Sequence, residues 1–115
     1  AKITKVLARG NRMVPEVAIE VADAIGVAPA ELDWLIANQP NRIFLRNWAE
    51  ALELPAERHP DTFDECGNLF GVAIPLTLDT AITDGRIAVG DVVMTAAFAH
   101  AGDFAGALAL RWGGR

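Results

Sequence analysis

The sequence predicts an α/β layered domain whose sheet is mostly parallel and closes with an antiparallel strand pair. Three observations carry that expectation. Apolar residues recur at helical spacing in three segments, short apolar runs separate them, and the last two runs are joined only by a turn of small residues. At 115 residues, with 52% hydrophobic and 22% charged residues, the chain has enough apolar surface for one core and no low-complexity tract. One domain unit, residues 1–115, is therefore expected.

The first helix is read from Val14, Val17, Ala18, Val21 and Ile25, with Pro15 in its first turn and Gly26 ending it. Ala28 to Glu31 is a polar link. Leu32 to Ala37 follows as a short strand buried on both faces. Pro40 or Asn41 opens a second helix with Phe44, Leu45, Trp48, Ala51 and Leu52 on its apolar face, closing before Pro55. The charged stretch Glu57 to Cys66 offers one strand candidate, Thr62-Phe63-Asp64. A third helix carries Ile74, Leu78, Ala81 and Ile82 up to Gly85, with Pro75 as a first-turn residue or a kink. Asp91 to Phe98 and Phe104 to Trp112 are the closing strands.

In sheets of this type, chemistry gathers beyond the carboxyl ends of the strands. Three polar sets stand there: Asn38-Gln39, Gly67-Asn68, and the turn from His100 to Asp103. Each Asn also has a structural reading, since its amide commonly caps helices and turns.

Composition removes several function classes. A net charge of −5 disfavours binding to nucleic acid. No apolar run approaches the roughly 18 residues that span a bilayer, and Ala1-Lys2-Ile3 does not open a signal peptide. The single Cys66 can form no internal disulfide, which fits a reducing compartment. The expected location is the cytoplasm, away from membranes.

The segments LDWLIANQPNRIFLRNWAEALELP, CGNLFGVAIPLTLDTAITDGRIAVGDVVM and FAHAGDFAGALALRW, taken in order, resemble the C-terminal half of ketoacyl-ACP synthase III enzymes, which have the thiolase fold. Gly67-Asn68, Ile74-Pro75-Leu76, Asp84-Gly85-Arg86-Ile87 and Gly90-Asp91 are its most specific parts. The resemblance implies that an N-terminal half bearing the nucleophilic Cys is absent from this chain. It also implies a homodimer, an acyl-CoA or acyl-carrier-protein thioester as substrate, and neither cofactor nor metal. Cys66 stands where the family has no nucleophile and reads as a structural residue.

The family's other catalytic groups are a His in a Pro-His-Gln-Ala-Asn motif and the Asn of Gly-Asn-Thr. They stabilise the negative charge that develops as a malonyl thioester loses carbon dioxide. Asn68 retains the second. Asn38 occupies the position of the first, and Leu69 that of the Thr. A neutral amide donates a hydrogen bond but exchanges no proton near pH 7. The closing turn, with His100 and Asp103, is similar to that of a subgroup of natural-product acyltransferases in which an Asp assists transfer to a hydroxyl or amine. The expected function is thus thioester-dependent acyl transfer to an alcohol or amine in secondary metabolism, through Asn38, Asn68, His100 and Asp103. The alternatives are decarboxylative 3-oxoacyl-ACP synthesis and a non-catalytic partner subunit. Arg42 and Arg46, on one outer helix face, are candidates for docking the acidic carrier protein.

Overall fold

A computed structural model describes residues 2–67, 72–99 and 104–114. Among the described residues, seven α-helices and β-strands follow one another: α1 (Lys2–Ile25), β1 (Trp34–Ala37), α2 (Arg42–Ala51), the one-turn α3 (Phe63–Cys66), α4 (Ala73–Thr83), β2 (Val92–Ala99) and β3 (Phe104–Arg111), with single 3-10 turns at Pro29–Glu31 and Ala56–Arg58. Among the described residues, no helix is long and apolar enough to cross a membrane.

Helix α1 starts well before the expected Val14, so Pro15 lies in its interior rather than in its first turn. An interior Pro removes one backbone hydrogen bond. Tertiary packing sustains the helix: Val14, Ala18 and Ala22, four apart along one face, are all fully buried against the sheet and α2. Helix α2 crosses α1 closely. A Cβ at Gly10 would sit 2.6 Å from the Phe44 ring, and the Gly10 carbonyl accepts the Trp48 indole N–H at 2.8 Å. Gly10 is therefore required for contact, and Trp48 buries its one polar atom satisfied.

The sheet runs β1-β2-β3. β1 and β2 are parallel, with Trp34 opposite Val93 and Ala37 opposite Ala96. β2 and β3 are antiparallel, from Val92 opposite Arg111 to Ala99 opposite Phe104. Side chains alternate between faces. Leu35, Ala37, Met94 and Ala96 pack toward α1 and α2, while Ile36 and Val93 meet Ala81, Leu78 and Ile82 of α4. The two-faced burial expected of β1 is thus realised by helices on both sides of the sheet. Pro75 falls in the first turn of α4, and Gly85, at φ 78°, follows its end.

The strand expected at Thr62-Phe63-Asp64 does not form; these residues enter α3 instead. The hydrogen-bonding demands explain it. Thr62 N–H donates to the side chain of Gln39 at 2.8 Å, and Phe63 N–H donates to Asp61 Oδ1 at 2.9 Å. Side chains claim the amides that a ladder would need. Among the described residues the sheet has one parallel and one antiparallel pairing, a small mixed sheet within the expected α/β layering that closes with the expected antiparallel pair.

The Gly90-Asp91 motif is structural. Asp91 Oδ2 accepts the Trp34 indole N–H at 2.7 Å and the Ala88 N–H at 2.9 Å, tying the start of β1 to the turn before β2.

Candidate functional site

Strand β1 ends at Ala37, and the four residues before α2 are Asn38, Gln39, Pro40 and Asn41. Each side-chain amide there has a separate task. Asn38 leans across to β2: its Nδ2 donates to the Phe98 carbonyl at 3.2 Å, and its Oδ1 accepts the Phe98 N–H at 3.4 Å. Its own backbone N–H donates to Ala96 O at 3.2 Å. The amide thereby extends the parallel pairing beyond the strand's last residue. Among the described residues, one N–H of Nδ2 is left over, since a primary amide carries two and one bond from it is formed.

Gln39 is fully buried. Its Oε1 accepts from Thr62 N at 2.8 Å, with the Thr77 hydroxyl at 3.1 Å and the Thr62 hydroxyl at 3.2 Å. Its Nε2 donates to the Gly67 carbonyl at 3.0 Å. One side chain thus joins the β1–α2 junction, α4 and the end of α3. Such a buried network is stable only while every member is satisfied. Asn41 caps α2, its Oδ1 accepting the Phe44 N–H at 2.8 Å.

Arg42 begins α2 and reaches the same segment from outside. Its Nη1 donates to Asp61 at 2.8 Å, its Nη2 donates to Asp64, and its guanidinium lies 5.3 Å from the centre of the Phe63 ring. The hydrogen bond to Asp61 is the chief cause that raises the Arg42 pKa. Residues 61–67 are consequently gripped by Gln39 from within and Arg42 from the surface. Arg46, one turn further along α2, is exposed and makes no ion pair among the described residues. Of the two docking candidates, the structure commits Arg42 internally and leaves Arg46 outward.

Gly67 terminates this gripped segment at φ 65° and ψ −150°, a region essentially restricted to glycine. No atom within 4 Å would obstruct a Cβ, so the backbone angle, not space, requires glycine. Asn68 follows directly but, with His100 and Asp103, lies outside the described residues. Their anchors are described. Gln39 holds Gly67, and Asn38 holds Phe98, two residues before His100. Phe98 also joins an aromatic cluster, its centroid 5.5 Å from Phe44 and 5.9 Å from Trp48. The junction after β1 is therefore bonded to the chain leading into both other polar sets. Cys66, read as structural, is exposed.

Sequence reasoning passed over Gln39 as a site residue and over His59, which is buried behind α2. The available signal at position 39 was an amide wedged between a buried strand and an apolar helix. Its partners Thr62 and Thr77 are 23 and 38 residues away, so no local pattern names them.

Comparison with known proteins places this geometry. The family described as 3-oxoacyl-[acyl-carrier-protein (ACP)] synthase III C terminal matches residues 22–112. The chain is 40% identical over 101 residues to a beta-ketoacyl-[acyl-carrier-protein] synthase III of Sinorhizobium medicae, a match covering 87% of this chain and 31% of that protein. Among solved structures it is similar to the synthase III of Thermus thermophilus, with a TM-score of 0.90 and 31% identity, over 97% of this chain and 35% of the other. OleA of Xanthomonas campestris shares the fold, at a TM-score of 0.83 and 20% identity, over 93% of this chain and 31% of its own. The chain thus spans about a third of the length of the curated relatives it matches.

Proposed function

Because the chain belongs to the family of 3-oxoacyl-ACP synthase III C-terminal segments, we propose that it supplies the oxyanion-stabilising side of a thioester-dependent condensing enzyme. The observation that carries this reading is the likeness to synthase III proteins across 87% of the chain, with Gly67-Asn68 retained. In the proposed reaction, a Cys of the N-terminal portion holds an acyl group as a thioester. A malonyl-carrier thioester loses carbon dioxide, and the enolate so formed attacks the acyl carbonyl. A carbon–carbon bond forms, the carbon–sulfur bond breaks, and the thiolate departs. Asn68 and the remaining N–H of Asn38 donate to the thioester oxygen while it carries negative charge. The clamp from Gln39 to Gly67 supports this role by fixing the backbone from which Asn68 departs. No cofactor takes part, and the complete protein works as a homodimer. Arg46 attracts the acidic carrier protein, while Arg42 braces the segment beside it.

A second reading is favoured by one observation, the amide at position 38. Without an imidazole there, the enzyme passes the acyl group to an alcohol or amine in secondary metabolism, and Asp103 or His100 deprotonates the acceptor. Supplying the complete protein with an acyl thioester and malonyl-carrier thioester separates the two. Condensation releases carbon dioxide and yields a 3-oxoacyl product. Acyl-enzyme that forms but discharges only to an added alcohol or amine, with malonyl thioester intact, overturns the first reading and supports the second. A complete protein with no nucleophilic Cys would leave only the partner-subunit role.

A further inference from the structure

Helix α4 buries a stripe of small side chains, Ala73, Thr77 and Ala81, spaced four residues apart. Ala81 joins Ile36 and Val93 of the sheet in one apolar cluster. Thr77 puts a hydroxyl in the middle of this stripe, 2% exposed. A valine has nearly the same shape and carries no polar group to bury. The hydroxyl is satisfied by side chains from elsewhere in the chain, at 3.1 Å from Gln39 Oε1 and 3.2 Å from the Thr62 hydroxyl.

The Gln39 amide can stand only one way round. The Thr62 N–H only donates and the Gly67 carbonyl only accepts, so Oε1 faces residue 62 and Nε2 faces residue 67. Both of those partners lie on the one segment that ends at Gly67. Thr77 differs from them. Among the described residues it is the one partner of the Gln39 side chain that stands on α4, a helix seated on the sheet. With Thr62 and Gly67 alone, the amide and its segment could shift together without breaking a bond. The Thr77 hydroxyl ties both to the helix, and a buried network with every member satisfied is rigid.

The tie matters most at its far end. Gly67 sits at φ 65° and ψ −150°, and rotation about either bond turns the peptide that leads to Asn68. We infer that Thr77 is a positioning residue for the proposed condensation, acting through Gln39 and Gly67 on Asn68. It touches no substrate; it holds the amide that holds the backbone. This role deepens the reaction proposed above and rests on it.

The complete protein carries the test, because Asn68 is assigned to one half of the reaction only. T77V keeps the shape and removes the hydroxyl, whereas T77S keeps the hydroxyl. In T77V, loss of carbon dioxide from malonyl-carrier thioester should slow about fivefold, equivalent to the roughly 1 kcal/mol of one net hydrogen bond. The KM for that thioester and the rate at which the Cys takes up its acyl group should not change. T77S should stay within about twofold of the wild type, since its donor remains. In a Q39A background, adding T77V should alter decarboxylation by less than about twofold, because residues acting through one another are not additive. If Q39A does not fold, the contrast between T77V and T77S, both checked for wild-type melting, still decides.

T77V that decarboxylates at the wild-type rate, slows acylation equally, or is matched by T77S would overturn the proposal, as would a full T77V effect in Q39A. N68A separates the two levels. Slow decarboxylation in N68A with normal T77V removes the role of Thr77 alone. N68A at the wild-type rate shows that Asn68 is not the group served, and both readings fall.

Discussion

The two sides of α2 treat their polar groups in opposite ways. At the helix's start, Asn38, Gln39, Asn41 and Arg42 all bond to backbone or to charged partners, and among the described residues the network leaves one amide N–H of Asn38 over. Behind the helix, the buried Nε2 of His59 has no hydrogen-bond partner among the described residues. The difference separates groups that fix the fold from one that the fold leaves unsatisfied. Side chains whose donors and acceptors are engaged hold the segments they join, whereas a buried nitrogen without a donor lowers stability.

The comparison breaks most severely at Gln39. Q39L strands the Thr62 N–H and the Gly67 carbonyl inside the protein, so the midpoint of chemical denaturation should fall by the equivalent of about 3–5 kcal/mol. A loss under about 1 kcal/mol would mean that the network is not holding residues 62–67. His59 provides the next effect, and it depends on pH. Its folded pKa, about 4, lies below the ordinary 6.5. Between those values the unfolded chain binds the proton that the fold refuses, so stability rises with pH across that window and is lost as pH falls through it. The loss is on the order of 3 kcal/mol. Denaturation midpoints measured from pH 7 to 4 should show it in the wild type, and H59F should flatten that component; an unchanged profile would contradict the buried neutral state. The smallest effect belongs to Arg42. Its ion pairs with Asp61 and Asp64 are exposed, so R42A should cost under about 1 kcal/mol and less in high salt, read from thermal unfolding at two ionic strengths.

Much of this architecture was legible because it rests on periodicity. The apolar stripe of α2, the two-faced run from Leu32 to Ala37 and the closing pair of strands each carry a local pattern, and each formed, the run becoming strand from Trp34 onward. Thr62 to Asp64 misled because its strand-like composition competes with side chains elsewhere: Gln39 and Asp61 take its backbone amides. The start of α1 was missed because Pro15 reads as a helix beginning, while burial of Val14, Ala18 and Ala22 sustains a longer helix through it. At the site, the resemblance of Asn38 and Gly67-Asn68 to motifs of the synthase III family was visible in the order of residues. The hydrogen bonds were not, since Asn38 and Phe98 stand 60 residues apart, and Gln39 and Gly67 stand 28 apart.

Position 38 is where the account is most exposed. If it is the catalytic position of a condensing enzyme, N38H in the complete protein restores an ionisable donor beside the thioester, and 3-oxoacyl product from malonyl-carrier thioester should form about tenfold faster or more. The variant must unfold at the wild-type temperature, since it also gives up the clamp on the Phe98 backbone. A folded N38H protein that forms 3-oxoacyl product no faster than the wild type would contradict the claim that this junction faces the reacting thioester.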